Sequence, residues 1–393
     1  MRTISDDERR ARLARRHGLA PEHRFDDVQQ VAEAIVALHA SDPASVFLAA
    51  RARAAQSSVA AIEAALYERR TLVRLLGMRR TVFVVPAALA GVVQASSTRA
   101  LIPNERRRFV ALLEDAGVAE DGARWLCDTE EATYAALVAR GEATAAELGQ
   151  DVPALRAKTP VSQDKPYAAI QGVSSKVLFL LAADGRIVRG RPLGSWTSTL
   201  YRWAPVTSWL PDAIAELETD VAAAELMRRW LVAFGPGTLA DMKWWTGWTM
   251  GLVKRALAQI ETDEVELTGG TTGFVLAEDN EPVAAAAPWV ALLPALDPAP
   301  MGWQERSWYL GEHRASLFDT NGNIGPTVWC DGRIVGGWAQ RKATGEVVVH
   351  LLEDVGAGTE DTVAAEAARV QDWIGDVRVT ARFRTPLERE LSS

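Results

Sequence analysis

Residues 57–86 read SSVAAIEAALYERRTLVRLLGMRRTVFVVP, and this stretch decides the expected fold. Ser57 begins a helix that runs to a pair of arginines at its end. Two apolar runs follow, and residues 77–80 (GMRR) separate them. Apolar runs rich in branched residues on either side of a short turn predict a β-hairpin, here with a basic turn. Helices followed by such a hairpin are the outline of a winged helix.

The residues before this stretch predict two further helices. Residues 26–40 (DDVQQVAEAIVALHA) place four apolar side chains at helical spacing. Asp42 then suits an N-cap and Pro43 the first turn of the next helix. Residues 38–43 (LHASDP) therefore lie where the helical pattern pauses. A histidine, a hydroxyl and a carboxylate share that pause, so it is either a capped loop or a reactive site.

The same order of elements recurs along the chain. Residues 129–149 predict two helices separated by a glycine, and a helix at 171–185 and a hairpin at 186–205 follow. Residues 222–260 predict another helix–turn–helix–helix. We therefore predict a first winged-helix module at 1–120, a second at 121–212 and a third helix-turn-helix module at 213–262.

Beyond residue 262 the pattern changes from helices to strands. Segments such as 264–278 (EVELTGGTTGFVLAE) and 376–384 (DVRVTARFR) alternate apolar and polar residues. We predict an antiparallel β-barrel domain at residues 263–393, crossed by one helix, and an α+β fold class for the whole chain. Most of the fourteen tryptophans lie after residue 195, and we expect them to pack in cores and interfaces.

The composition limits the possible partners. The chain has 393 residues, 48% of them hydrophobic, and a net charge of −8, which fits a soluble protein of several domains. Residues 1–210 carry 28 Lys or Arg and 23 Asp or Glu, whereas residues 211–393 carry 15 and 28. This division permits phosphate binding in the first half but disfavours nucleic acid wrapped over the whole surface.

The rest of the composition indicates a cytoplasmic protein. Cys127 and Cys330 form neither a disulfide framework nor a zinc-binding spacing. The charged N-terminus is unlike a signal peptide, and no apolar run is long enough to span a membrane. We therefore expect no membrane partner.

Four phrases carry a resemblance to a known family. They are GRPLGSWTSTLYRWAP (190–205), WLVAFGPGTLADMKWWTGWT (230–249), LLPALDPAPMGW (292–303) and LFDTNGNIGPTVWCDGRIVGGWAQR (317–341). Over essentially its whole length the chain resembles winged-helix proteins of the AlkZ/YcaQ type. The resemblance implies tandem winged helices plus a C-terminal β-barrel around a cleft of DNA size. It also implies a DNA glycosylase that removes alkylated or bulky purine adducts without a metal or cofactor.

The resemblance places the catalytic motif of that family on residues 38–43. The motif is Gln-x-Gln or Gln-x-Asp, followed by Asp-Pro or a similar turn. His39 falls on the first glutamine, Ser41 falls on the second polar position, and Asp42 with Pro43 keeps the turn. The spacing of the motif and its Asp-Pro turn are kept, whereas the residue types at both catalytic positions differ. The candidate catalytic residues are therefore His39, Ser41 and Asp42.

These three side chains suit hydrolysis of an N-glycosidic bond. The reaction passes through an oxocarbenium-like sugar, which an enzyme helps by stabilising the cation and holding a water. Neutral His39 can accept a proton from the water or hold it by a hydrogen bond. Ser41 can bind the same water or a sugar phosphate, and Asp42 can orient His39. The alternative is structural, with Ser41 or Asp42 capping a helix and His39 packing beside it.

Basic residues around the two predicted hairpins are the candidate DNA contacts. Wings of this kind meet phosphates, and arginine binds phosphate in bidentate geometry. The predicted set is Arg79, Arg80, Lys176, Arg189, Arg191 and Arg202. A solvated surface is the alternative explanation for these residues.

The predicted function is a DNA glycosylase for alkylated or bulky-adduct purines, acting in base excision repair or in self-resistance to genotoxins. We expect a monomer on damaged duplex DNA, in the cytoplasm and associated with the nucleoid, with no metal or cofactor. The alternative is a non-catalytic winged-helix DNA-binding protein, which the loss of both family glutamines and the net charge of −8 favour. A third possibility is a protein that has lost DNA binding and uses its cleft for another ligand.

Overall fold

The computed structural model describes residues 1–161, 169–210, 212 and 214–393. At the N-terminus, strand β1 (Arg2–Ile4) is followed by helix α1 (Asp6–Arg16). The Ser5 hydroxyl caps α1 by accepting the N–H of Glu8, and acidic residues fill its first turn. Helix α1 packs against helices of the second half of the chain, so the N-terminus is tied to that half.

The first helix–hairpin unit contains residues 57–86. It consists of helix α2 (Val28–Ala34), strand β2 (Leu38–His39), helices α3 (Pro43–Arg53) and α4 (Val59–Glu63), and strands β3 (Leu72–Leu76) and β4 (Val82–Pro86). A π-helical turn continues α4 to Glu68. The strands form an antiparallel sheet in the order β2-β4-β3, so the predicted hairpin is present.

The helix predicted over residues 26–40 is shorter in the structure. Helix α2 ends at Ala34, Val36 adopts a left-handed φ of 67°, and the next residues form strand β2. Pairing with β4 prevails over the helical pattern because it satisfies main-chain groups along the inner edge of the hairpin. His39 therefore lies on a strand, opposite Phe83, and not at the end of a helix.

The second helix–hairpin unit follows a linking region that contains α5 (Ala90–Val93) and α6 (Ile102–Asp115). The unit comprises α7 (Gly122–Arg140), β5 (Ala143–Thr144), α8 (Ala145–Asp151), β6 (Lys158–Val161), β7 (Ala169–Gly172), α9 (Ser174–Ala183), β8 (Ile187–Pro192), β9 (Tyr201–Pro205) and α10 (Val206–Trp209). Strands β5, β9 and β8 form one antiparallel sheet. The predicted helix pair is present, since Gly141 ends α7 and a capping box of Thr144 and Glu147 starts α8.

A third set of helices precedes another hairpin. It consists of α11 (Thr219–Phe234), α12 (Leu239–Thr246), α13 (Met250–Leu257), β10 (Thr262–Leu267) and β11 (Thr271–Leu276). Thr238 and Asp241 form the capping box that starts α12. Strand β1 joins β10 in parallel, giving the sheet β1-β10-β11. Within the described residues this sheet has no pairing with the strands that follow it.

The C-terminal region contains an antiparallel sheet. Its elements are β12 (Val290–Leu293), α14 (Ser307–Leu310), α15 (Arg314–Leu317), β13 (Thr327–Cys330), β14 (Arg333–Gln340), β15 (Val347–Leu351), α16 (Ala357–Ile374) and α17 (Pro386–Leu391). The strand order is β12-β13-β14-β15, and no pairing among the described residues joins β12 to β15. The fold is thus α+β, and the predicted closed barrel is not confirmed.

The prediction of a strand at residues 376–384 is wrong. This segment has no strand pairing in the structure. Two of its main-chain N–H groups donate to side chains instead, from Val379 to Gln340 Oε1 at 2.7 Å and from Arg382 to Asp42 Oδ2 at 2.9 Å. N–H groups satisfied in this way need no hydrogen bond to a neighbouring strand. The second bond brings the segment beside residues 38–43.

The tryptophans pack mainly in the interior, as the sequence predicts. Trp230, Phe234, Trp245 and Trp303 form one aromatic group with ring centroids 5.3–6.4 Å apart. All four are buried. Each aromatic pair contributes about 0.5–1.5 kcal/mol beyond its buried area. The group therefore fastens α11 and α12 to the segment that follows β12.

Candidate functional site

The candidate catalytic residues lie where strand β2 passes into helix α3. Pairing with β4 holds His39 opposite Phe83. The chain then bends at Ser41, and Asp42 caps α3. Strand pairing on one side and helix capping on the other fix the three residues in one short, rigid segment.

His39 is half-buried and borders a small cavity of about 20 Å³, which has room for about one water molecule. Besides His39, the cavity is lined by Arg79, Phe83, Trp245, Leu296 and Met301, and we call it the His39 cavity. Phe83 packs edge-on to the imidazole, with ring centroids 5.1 Å apart. Burial and the nearby Arg79 guanidinium lower the pKa of His39 to about 3. The imidazole is therefore neutral at physiological pH.

The hydrogen bonding of His39 decides which ring nitrogen carries the proton. The main-chain N–H of Ser41 donates to Nδ1 at 3.4 Å, so Nδ1 is an acceptor. The proton of the neutral imidazole then lies on Nε2, which can donate to an oxygen of a ligand. This tautomer suits a group that holds a water or a sugar oxygen. It does not suit a base that takes a proton at Nε2.

Ser41 borders a different and larger cavity. This second cavity has a volume of about 460 Å³ and is lined by Ser41, Arg74, Arg189, Thr199, Tyr201 and Arg382, among others. We call it the arginine pocket. The Ser41 carbonyl accepts a hydrogen bond from Arg382 Nη1 at 3.1 Å. His39 and Ser41 thus lie on neighbouring cavities, and successive residues of β4 line both.

Asp42 acts as the cap of α3. Only 5% of the residue is exposed, and its two carboxylate oxygens accept the main-chain N–H groups of Ala44 at 3.1 Å and of Arg382 at 2.9 Å. Burial raises the pKa of Asp42, while these two donors act in the opposite direction. Because backbone donors engage both oxygens, the geometry favours a structural role for Asp42 over a chemical one.

A buried ion pair holds one wall of the His39 cavity. Arg53, on α3, places two guanidinium nitrogens 2.6 and 2.8 Å from the carboxylate oxygens of Asp297. The Ser45 hydroxyl donates to the Ala295 carbonyl at 2.6 Å. Leu296 lies between these two anchors, has a φ of 58° and lines the cavity. Helix α3 and the segment after β12 are therefore locked together at the site.

The predicted DNA contacts fall into two groups. Four of them lie against carboxylates: Arg80 and Lys176 against Glu105, Arg191 against Glu63 and Glu68, and Arg202 against Glu142 and Glu147. Arg79 and Arg189 have no acidic partner among the described residues and stack on Trp244 and Trp203, 4.1 and 4.9 Å from the ring centroids. These two keep their charge available for a ligand.

The turn of the first hairpin is packed against α12. Arg79 and Arg80 have φ values of 55° and 57°. Arg306 lies over the same Trp244 ring as Arg79, 4.5 Å from its centroid. Gly247 approaches so closely that a Cβ atom there would lie 3.2 Å from the Arg79 backbone. Arg79 is thereby held at the edge of the His39 cavity.

Sequence reasoning missed Arg74, Tyr201 and Arg382. The structure brings them together with Arg189 in the arginine pocket. Arg74 did have a signal, because it is a lone charged residue in the apolar strand LVRLL, and a buried arginine is uncommon. The other two had none, since their positions depend on packing between distant segments.

The described residues contain neither a metal-binding cluster nor a membrane-spanning helix. No group of three or more His, Cys, Asp or Glu side chains is arranged to hold a metal ion. Across the same residues, no helix combines the length and the apolar character needed to cross a membrane.

The fold and the site define a class of protein. It is an α+β protein in which helix–hairpin units meet a C-terminal sheet, with uncompensated arginines beside a half-buried histidine. The sequence profile of the family described as DNA glycosylase AlkZ-like matches residues 32–373, so the chain belongs to that family. The family expected from the resemblance is thus confirmed.

Two matches from Streptomyces sahachiroi, one to a sequence and one to a solved structure, show how far the similarity extends. An interstrand DNA cross-link repair glycosylase is 30% identical over 175 residues, which make up 42% of this chain and 46% of that relative. The match thus spans about half the length of the relative. The solved structure of the DNA glycosylase AlkZ shares the fold, with a TM-score of 0.74 and 22% identity over 96% of this chain and 99% of that chain.

Proposed function

We propose that this chain is a DNA glycosylase that hydrolyses the N-glycosidic bond of an alkylated or bulky-adduct purine in duplex DNA. One observation carries the proposal: residues 38–43 lie inside the range that matches the family, and they present a neutral histidine to a cavity. The relative named for cross-link repair supports a bulky adduct as the substrate.

The proposed reaction breaks the bond between C1′ of the deoxyribose and N9 of the purine. The electron pair leaves with the base, a water oxygen binds C1′, and the water proton passes to solvent. An N7- or N3-alkylated purine already carries positive charge, so it departs with little acid catalysis. His39 holds the water through Nε2–H, and the Ser41 hydroxyl holds the same water or the adjoining phosphate. Asp42 keeps the segment in place.

The helix–hairpin units act, in this proposal, as tandem winged-helix modules around the DNA. We place the first at residues 1–120 and the second at 121–212. We extend the third, expected at 213–262, to residue 276, because β10 pairs with both β1 and β11. The C-terminal sheet takes the place of the barrel that the family resemblance implies. Arg79 and Arg189, which have no acidic partners among the described residues, are the best candidates for phosphate contacts.

The protein works, in this proposal, as a monomer on the DNA of the nucleoid. A non-catalytic DNA-binding protein is the second candidate. It is favoured by His39 and Ser41, which stand where the family resemblance implies Gln-x-Gln or Gln-x-Asp.

One experiment separates the two functions. Duplexes containing N7-methylguanine, a bulky N7 adduct or an interstrand cross-link are incubated with the protein, and abasic sites are measured by alkaline cleavage. Abasic product from a damaged duplex, and none from a matched undamaged duplex, supports the glycosylase. Binding to undamaged DNA without product from any damaged duplex supports the binding protein.

A further inference from the structure

The arginine pocket gathers three guanidinium groups from distant parts of the chain. Arg74 lies on β3, Arg189 lies on β8, and Arg382 lies in the segment before α17. Ser41 and Tyr201 also line the pocket. Its volume of about 460 Å³ is in the range of sites that bind small molecules.

Arg74 is a buried cation without an acidic partner among the described residues. Only 3% of the residue is exposed. Its Nη1 donates to the Tyr67 hydroxyl at 3.3 Å, and its guanidinium lies over the Tyr201 ring, 4.6 Å from the centroid. Its Nε is buried without an acceptor. Burial of an uncompensated cation is costly, and an anionic ligand is the ordinary means of offsetting that cost.

Two more groups in the pocket lack partners among the described residues. The Tyr201 hydroxyl is buried and makes no hydrogen bond. The second group is the Arg189 guanidinium, which no carboxylate among the described residues contacts. Burial and repulsion by the charges of Arg74 and Arg382 lower the pKa of Arg189 to about 10. Asp42 is near enough to act on Tyr201, but main-chain N–H groups already engage both of its oxygens. The pocket therefore favours an anion.

We propose that the arginine pocket binds a phosphodiester group of the DNA strand that carries the damaged base. Arginines bind phosphate oxygens strongly, and the Tyr201 hydroxyl supplies one more donor. The Ser41 carbonyl accepts a hydrogen bond from Arg382, so a phosphate bound here lies next to the segment that leads to His39. The bound phosphate thereby positions its nucleotide at the His39 cavity. This inference rests on the proposed function, but phosphate binding is measurable without any base excision.

The test compares Arg189→Gln and Arg382→Gln with the control Arg186→Gln. Arg186 directly precedes strand β8, which carries Arg189. It pairs with Glu131 and does not line the arginine pocket. The first probe is inorganic phosphate, whose effect on the melting temperature is compared with that of potassium chloride at equal ionic strength. Phosphate should stabilise the wild type and Arg186→Gln, and most of this shift should disappear in the two pocket variants. The melting temperatures without phosphate show that each variant is folded.

The second probe is a labelled duplex with one N7-alkylated guanine, titrated at increasing salt. Each lost phosphate contact makes the slope of log affinity against log salt shallower by about 0.9. We expect this change in both pocket variants and not in Arg186→Gln. Equal slopes in all three variants would overturn the proposal. A lost phosphate shift with unchanged DNA slopes would also overturn it, because the pocket would then take a free phosphate.

Abasic-site formation on the same duplex separates this inference from the proposed function. If the wild type forms abasic sites but the pocket variants keep the salt slope of the wild type, the phosphate site is refuted and the glycosylase is retained. Shallower slopes in the pocket variants without any product from the wild type refute the glycosylase and retain a DNA phosphate site.

Discussion

Two guanidinium nitrogens of Arg53 donate to the carboxylate of Asp297, at 2.6 and 2.8 Å, and neither side chain has exposed surface. Removing one partner of a buried pair leaves an uncompensated charge, which costs about 3–5 kcal/mol. Asp297→Asn should therefore lower the free energy of unfolding by about this amount, measured by urea unfolding followed by tryptophan fluorescence. The double variant Arg53→Met, Asp297→Leu removes both charges and should be more stable than Asp297→Asn. If Asp297→Asn were as stable as the wild type, the Arg53–Asp297 ion pair would not be needed for stability.

His39 should make the free energy of unfolding depend on pH. In the unfolded chain its pKa is near the ordinary value of 6.5, whereas burial and Arg79 lower the pKa in the folded protein to about 3. As the pH falls through this window, the unfolded chain binds a proton that the folded chain does not. Stability present above pH 6.5 is therefore lost on acidification, by up to about 1.4 kcal/mol per pH unit.

Urea unfolding of the wild type and His39→Asn at pH 7 and pH 5 measures this contribution. His17, whose pKa burial also lowers, is present in both proteins, so its contribution cancels in the comparison. The wild type should lose more stability than the variant between the two pH values. Equal losses would mean that His39 titrates normally in the folded state.

Glu105 should weaken DNA binding by neutralising two of the predicted contacts. It is 7% exposed and lies 2.8 Å from Arg80 and 3.9 Å from Lys176. Glu105→Gln keeps the shape of the side chain and frees both cations, so duplex DNA should bind several-fold tighter at low salt, with a steeper loss of affinity as salt rises. Fluorescence anisotropy measures both effects. Glu131→Gln is the control, because it frees Arg186, which is not a predicted contact. An equal response to the two substitutions would place Arg80 and Lys176 away from the DNA.

The sequence predicted the elements whose signals are local. The predicted pair of helices on either side of Gly141 is present, and a capping box of Thr144 and Glu147 starts its second helix. The first hairpin likewise follows from two apolar runs around a short turn. Strand β2 was missed because its pairing with β4 is made by tertiary structure. The alternation at residues 376–384 was misleading, since side chains of Gln340 and Asp42 accept its main-chain N–H groups.

The candidate site was predictable only in part. The family's catalytic motif predicted His39 and Ser41 as site residues, and the structure places them on adjoining cavities. No sequence pattern reveals that Arg191 pairs with glutamates of the first unit, because the partner residues are far apart in the chain. The convergence of Arg74 and Arg382 is hidden for the same reason.

Base excision by the wild type and by His39→Ala is the most direct test of a catalytic role for this site. Single-turnover rates are measured on a duplex containing N7-methylguanine, with abasic sites detected by alkaline cleavage and DNA affinity measured in parallel. His350→Ala is the matched control, because His350 is exposed on β15. The wild type and the control should form abasic sites at the same rate, and His39→Ala should be about 100-fold slower at unchanged affinity. An undiminished rate in His39→Ala, or no product from the wild type, would contradict the proposed glycosylase site.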